Sequence, residues 1–280
     1  MAITNQTSLS AGASTRQIFS FLKGFANNAL GSFYAGSAYS LWDKVGYPAP
    51  GATNPSSAIP TNLTAGAFPL ADAAGGNQLY LGKMHARQNW WVSGGITSPA
   101  RVVLRLYDRL YHSGVTFTSA SQTITLSGPT VTRGLANGIG NEIWFEEWQN
   151  VPAGSTSVTY VNDGGTNSTT AAFQWSSIAS DGSNGRMAQL PRLTADKGVQ
   201  SIVSLATAGI SFPPHQVAIL ILREIAQYAF NFTEFDCRDA LDLGLPQIDN
   251  GSCLFLASEC PVSAPNQAWG IMGRIEIYQQ

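Results

Sequence analysis

Ser157-Val-Thr-Tyr-Val161, then Asn162-Asp-Gly-Gly165, then Thr166 to Trp175 is the stretch that decides the fold. Val158 and Tyr160 lie on one face of the first run, and pairing across Gly164-Gly165 sets Ala171 and Phe173 beside them. Period-2 alternation on both sides of a Gly-containing turn is the pattern of an antiparallel hairpin with one buried face. Strand and turn signals of this kind continue through residues 101 to 228, and almost nothing in that stretch carries chemistry.

Working outward, further strands are expected at Leu79 to Leu81, Trp90 to Val92, Arg101 to Tyr107, Gln122 to Leu126, Asn141 to Trp148, Val199 to Leu205, Gln216 to Ala226, Cys253 to Ala257 and Gly273 to Tyr278. Turns rather than helical crossovers separate them, which predicts a mainly β protein, an antiparallel sandwich or jelly roll. Val217 to Leu222 is apolar on both faces and reads as a central strand. Ahead of these, Ile18, Leu22, Phe25, Ala29 and Phe33 recur at helical spacing and predict a short N-terminal helix capped by Ser14 or Thr15. Tyr47 to Gly76 carries Pro48, Pro50, Pro55, Pro60 and Pro69 among Gly, Ala, Ser and Thr, so it reads as an extended arm or long loop. The resulting division is 1–76 for helix and arm and 77–280 for the β domain.

Charged residues make up 11% of the 280-residue chain, against about 25% in ordinary soluble domains. A surface with so little charge is expected to be covered by copies of the chain or by a partner. The net charge is −2 with Lys and Arg scattered, so no basic stripe points to nucleic acid. No basic leader with an apolar core opens the sequence and no apolar run reaches the roughly 18 to 20 residues of a membrane span, which predicts a protein made in a cytoplasm, away from membranes. The Asn-x-Ser/Thr matches at Asn5, Asn62, Asn167, Asn231 and Asn250 then read as products of composition.

Candidate chemistry is sparse. Asp108, Arg109 and His112 follow a predicted strand and read as a structural turn, since no nucleophile or metal motif accompanies them. His85, His112 and His215 stand far apart, and Cys237, Cys253 and Cys260 form no C-x-x-C pair, so no metal site is expected and one disulfide stays open. Glu142, Glu146 and Glu147 with Trp144 and Trp148 resemble a sugar platform, yet adjacent Glu146 and Glu147 point to opposite faces of a strand, with Trp144, Glu146 and Trp148 sharing one. Together with Trp90 and Trp91, Trp144 and Trp148 remain possible surface or glycan contacts. Asp181 to Gly185 and Asn162-Asp163 lack the later Glu of a calcium loop and read as turns. Cofactors: none.

Thr64-Ala-Gly-Ala-Phe-Pro69, Leu79-Tyr-Leu-Gly82 and Leu104-Arg-Leu-Tyr-Asp-Arg-Leu-Tyr-His112 resemble structural proteins of tailed bacteriophages, as do Ser40-Leu-Trp42, the Val158 to Phe173 hairpin, Pro191-Arg-Leu193 with Asp196-Lys-Gly-Val-Gln200, and Gly244-Leu-Pro-Gln247. The resemblance covers most of the chain and brings no catalytic residue with it. It implies a virion component, a capsid decoration or cement protein on the shell exterior that binds the major capsid protein and copies of itself, with a homotrimer favoured. Arm residues Phe33, Tyr34, Leu41, Trp42 and Tyr47 are then expected at interfaces between subunits, and the Gly164-Gly165 turn at a tip or contact. A major capsid protein would carry a long spine helix that this sequence lacks. A receptor- or glycan-binding tail fibre module and a hydrolase are the rival expectations.

Overall fold

Residues 101–117 and 215–231 pair antiparallel along their whole length, His215 opposite Phe117 and Asn231 opposite Arg101, and the rest of the protein is laid on these two strands. The structure is a computed structural model that describes residues 15–24, 37–90, 101–148, 154–175, 185–210, 214–231, 236–260 and 269–280. In chain order the strands are β1 (Thr15–Gly24), β2 (Ser37–Ser40), β3 (Val45–Tyr47), β4 (Leu79–Trp90), β5 (Arg101–Phe117), β6 (Gln122–Thr125), β7 (Glu142–Glu147), β8 (Gly154–Asn162), β9 (Asn167–Thr169), β10 (Phe173–Trp175), β11 (Arg186–Leu190), β12 (Val199–Ala208), β13 (His215–Asn231), β14 (Asp236–Asp239), β15 (Gln247–Ile248), β16 (Leu254–Cys260) and β17 (Trp269–Gln279). Ala136–Gly138 forms a single 3-10 turn, the one helical element among the described residues.

Strands β11-β2-β16-β5-β13-β7 close into a barrel. Side chains alternate across its wall. Tyr107, Trp144, Met187, Leu220, Phe255 and Ala257 make the inner core. Outward residues of one half of the wall, including Leu104, Leu106, Tyr228 and Leu256, pack on the sheet β14-β4-β17-β1-β3 through Phe19, Phe21, Met84, Ile275 and Ile277. Those of the other half, including Val115, Ile143, Phe145, Ile219 and Ile221, pack on β10-β8-β12-β6 through Val158, Tyr160, Ile202 and Leu205. All of the pairings are antiparallel. The mainly β, antiparallel expectation therefore holds, and the layering is that of open sheets facing a central barrel wall across apolar cores.

Bulges make one barrel serve two sheets. The β5–β13 register slips at Leu110 and again at Ile225, and an extra residue in one strand inverts which side chains face inward. Before Leu110, Tyr107 and Arg109 point in while Leu104 and Leu106 point out; after it His112 points in while Tyr111, Val115 and Phe117 point out.

The hairpin at 157–175 forms as expected, with Tyr160 opposite Ser168. Asn162 Oδ1 accepts from the Gly164 and Thr166 amides at 3.0 Å each, and Gly165 takes φ +75°. Phe173 packs beside the Val158 core, but Ala171 is exposed: Thr170 turns in to accept from the Val158 amide at 3.0 Å, and the ladder resumes only at Phe173.

Two expectations are corrected. Residues Thr15–Gly24 are a strand rather than the start of a helix, paired with β17 from Thr15–Gln279 to Gly24–Gly270; the remainder of the expected helix, including Phe25 and Ala29, lies outside the described residues. The Ile18 to Leu22 spacing of four is compatible with both periods, because four is even, and strand pairing takes the segment. Asp108, Arg109 and His112 are not in a turn after a strand but inside β5.

Residues 48–76 are largely irregular, as their prolines predict, and they are bound to their own barrel. Ala58 exchanges amide hydrogen bonds with His112 at 3.0 and 3.1 Å, Gly114 donates to Pro55 O, and Phe68 donates to Leu254 O. Strands β1, β2 and β3 are built into sheets with strands beyond residue 77. The loop closes over Trp42, whose indole N–H donates to Ala52 O at 3.2 Å. Gly51 and Gly66 lie against the ring, where an added Cβ would fall 2.1 and 2.7 Å from indole carbons. Gly51→Ala is therefore expected to cost about 3 kcal/mol through overpacking, measured by urea denaturation; an unchanged midpoint would contradict this packing.

Candidate functional site

The charged residues that sequence singled out are internal, and they divide across the barrel wall. Inside, Arg109 and Glu146 are both fully buried with Nη2 3.0 Å from Oε2. The Arg109 guanidinium lies 4.3 Å above the Trp42 ring and 5.6 Å from that of Phe255, a cation–π arrangement in a dry setting. Neither Glu146 oxygen and none of the guanidinium nitrogens has a well-aligned hydrogen bond, so the contact is mainly ionic. Burial raises the Glu146 pKa, with Arg109 and Ser40 opposing it. Lys44, 2.7 Å from Asp43, has its pKa lowered by burial, with Asp43 opposing. His112 faces the same interior, its ring 6.2 Å from that of Trp42, and burial with Arg109 nearby lowers its pKa to about 3.

Outside the wall, buried Asp108 sits at the seam between the two outer cores. It accepts from the Cys253 amide (2.9 Å), Ser252 Oγ (2.9 Å) and Arg133 Nη2 (3.2 Å), and Arg223 approaches to 3.7 Å while pairing with Asp249 at 2.8 Å. It thereby ties the loops at 131–134 and 249–253 to β5. Asp108 and His112 point to opposite sides of the wall, so they do not share a pocket.

Leu41 and Trp42 are buried at 1% and 0% exposure; they pack within their own chain. Tyr47 is exposed. Phe33, Tyr34 and Trp91 lie outside the described residues, and Trp90 is the last residue of β4. Trp144 and Trp148 are buried at 7% and 3%, Trp144 donating to Glu142 Oε2 at 2.9 Å; on the strand Trp144 and Glu146 do share the inward face, but as core rather than as a sugar platform. Cys253 is a buried free thiol. Among the described residues no group of His, Cys, Asp and Glu is arranged to hold a metal, and no helix is long and apolar enough to cross a membrane.

The surface that sequence reading missed, Tyr47 apart, is the outer face of the sheet containing β1. Ile18, Leu22, Val45 and Tyr47 are 46%, 37%, 66% and 48% exposed on neighbouring strands, whereas the other exposed large apolar side chains among the described residues, Leu63, Leu135, Ile139, Leu193 and Leu241, lie in loops. Leu22 is flanked by Tyr47 on β3 and Met272 on β17, and Ser20 by Arg274, which faces His85 on β4. These residues line a groove of about 760 Å3. Arg16 and Arg274 reach Glu276 at 3.4 and 2.8 Å, and Tyr278 donates to it at 3.1 Å, leaving that carboxylate 3% exposed. Burial, with Lys83 and Arg274 nearby, lowers the His85 pKa, and its Nε2 lies 3.5 Å from Cys237 Sγ. Apolar residues at both parities, Ile18 and Leu22 beside Phe19 and Phe21, were the available signal; a strand with only one buried face would alternate.

No family model matches the chain, and no curated protein does. Among solved structures, the VP2 subviral particle of infectious bursal disease virus is similar over 96% of this chain and 81% of that one, at 10% identity and a TM-score of 0.22. The Gt strain of the same virus gives 99%, 82%, 11% and 0.21. At such scores the likeness has no bearing on the fold or role of this chain.

Removing one member of the interior pair strands the other. Arg109→Met or Glu146→Leu alone is expected to cost about 3–5 kcal/mol, and the double replacement to recover most of the loss; urea denaturation of the four proteins measures the coupling, and additive losses would contradict it. A histidine held neutral at about 3, against 6.5 when unfolded, gives stability that is complete above 6.5 and lost as pH falls toward 3. Between pH 7 and pH 5 the share from His112 is about 2 kcal/mol, and His112→Gln is expected to flatten the stability profile there by that amount.

Proposed function

We propose that this chain is a non-enzymatic structural protein of a virion, a capsid decoration or cement protein that stabilises the shell through contacts between subunits. The observation that carries the reading is the exposed apolar strip of Ile18, Leu22, Val45 and Tyr47 on a chain with 11% charged residues, a combination found where surface is destined to be covered. The resemblance of segments 64–69, 79–82 and 104–112 to tailed-phage structural proteins supports the same role. So does the use of buried charge: Asp108, Arg109 and Glu146 brace the wall and present nothing to solvent.

On this reading the partners are the major capsid protein and copies of the chain, with a trimer favoured, the place is the capsid exterior, and synthesis occurs in a bacterial cytoplasm. Apolar burial at the strip supplies affinity, since contact area rather than charge is what the surface offers. Burial of Trp144 and Trp148 weighs against glycan stacking at those residues.

Quantitative mass spectrometry of purified particles is expected to find on the order of hundreds of copies per particle, as a closed symmetric lattice demands. Particles lacking the chain are expected to rupture at lower temperature. Tens of copies or fewer, with unchanged heat resistance, would assign the chain to a tail or spike instead.

A further inference from the structure

Among the described residues, the sheet that carries the apolar groove has an edge beside it that no strand covers along most of its length. Strand β1 pairs with β17 over its whole length, but on its other side β3 covers only Leu22 to Gly24, and among the described residues no strand pairs with Thr15 to Phe21 there. The chain leaves this edge after Tyr47, because Pro48 has no amide proton with which to continue the ladder. An open edge beside an apolar face is the geometry in which an extended segment adds as a further strand, with main-chain hydrogen bonds giving affinity and alternate side chains giving selectivity.

The charges on that face state what the segment carries. Its cations are Arg16, Lys83, Arg87 and Arg274. Of its carboxylates, Glu276 is 3% exposed under Arg16, Arg274 and Tyr278, and Asp239, across from Lys83, accepts from the Leu241 and Asp242 amides. Positive charge therefore rims an apolar strip. A second copy docked edge to edge would set one arginine rim against another, and like charges across strands repel.

We infer that the open edge of β1, with the groove of Ile18, Leu22, Tyr47 and Met272 beside it, takes an extended segment of a different protein, one whose outward side chains alternate carboxylate and aliphatic. The aliphatic groups lie over Ile18 and beside Tyr47, and the carboxylates meet Arg16 and Arg274. This rests on the assembly role proposed above and deepens it by giving the partner's chemistry; its test uses the isolated chain, so it succeeds or fails independently of the copy number in particles.

The probe is a fluorescein-labelled heptapeptide with glutamate and valine at alternate odd positions and threonine between them, and the control replaces each glutamate with lysine. Fluorescence anisotropy with the full chain is expected to show saturable binding of the acidic peptide and about tenfold weaker binding of the lysine peptide. Ile18→Ser is expected to weaken the acidic peptide about tenfold, and Ser20→Glu, across from Arg274, to weaken it while strengthening the lysine peptide. Both positions are exposed, so the thermal midpoint of each variant should match that of the parent and separate a binding loss from a folding loss. Equal binding of the two peptides, binding of neither, or variants that bind like the parent would overturn the inference. A parent dimer seen by sedimentation and dissolved by Ile18→Ser would overturn it as well, in favour of a second copy at this edge.

Discussion

The contact on which the rest of the structure depends is the Arg109 guanidinium lying over the Trp42 indole inside the closed barrel. Six strands closed on themselves leave an interior that side chains must fill completely. Here a cation, a carboxylate and several aromatic rings fill it, and the cation is tolerated because Glu146 faces it and ring faces surround it. Trp42 in turn needs a cover, which is why residues 51–66 lie against its ring with glycine at the closest approaches. A segment whose composition forbids regular structure is thus held in one conformation by packing on Trp42 and by main-chain hydrogen bonds to His112, Gly114 and Leu254.

The same wall supports two outer sheets because β5 and β13 each change face part-way along. Without the extra residues at Leu110 and Ile225, one parity of each strand would face a single direction throughout. The seam where the face changes is where an outward polar residue can sit under cover, and Asp108 occupies it. Its oxygens take the Cys253 amide, Ser252 and Arg133, so the loops flanking the seam are tied to the wall by charge-assisted hydrogen bonds rather than by apolar contact.

Much of this architecture could be read from the chain. The 157–175 hairpin, the buried strand at Val217 to Leu222, and the irregular path of residues 48–76 follow from alternation, apolar runs and proline, all local in origin. Barrel closure could not be read, because strand partners such as Ser40 with Ala257 are distant in sequence and no local pattern names them. Bulges left no mark either: in Arg105 to His112 polar and apolar residues intermingle, and the placing of Asp108 outside and Arg109 inside depends on tertiary packing. For the surface, low charge indicated that something is covered but not where. Ile18 and Leu22 fit a helical period as well as a strand, and only pairing with β17 and β3 sets Leu22 between Met272 and Tyr47 and Ile18 beside Glu276.

Strand β1 meets β17 with Thr15 opposite Gln279, and that pairing sets the order in which the protein can be completed. On the ribosome, β1 and β4 emerge long before the strand that lies between them, so each must wait with an unpaired edge while the residues between β4 and β17 are made. Closing so large a loop is entropically slow, and the sheet can form only after β17 has been made. The face proposed for assembly, which sets Met272 beside Leu22 and Arg274 beside Ser20, is therefore absent until β17 has been made.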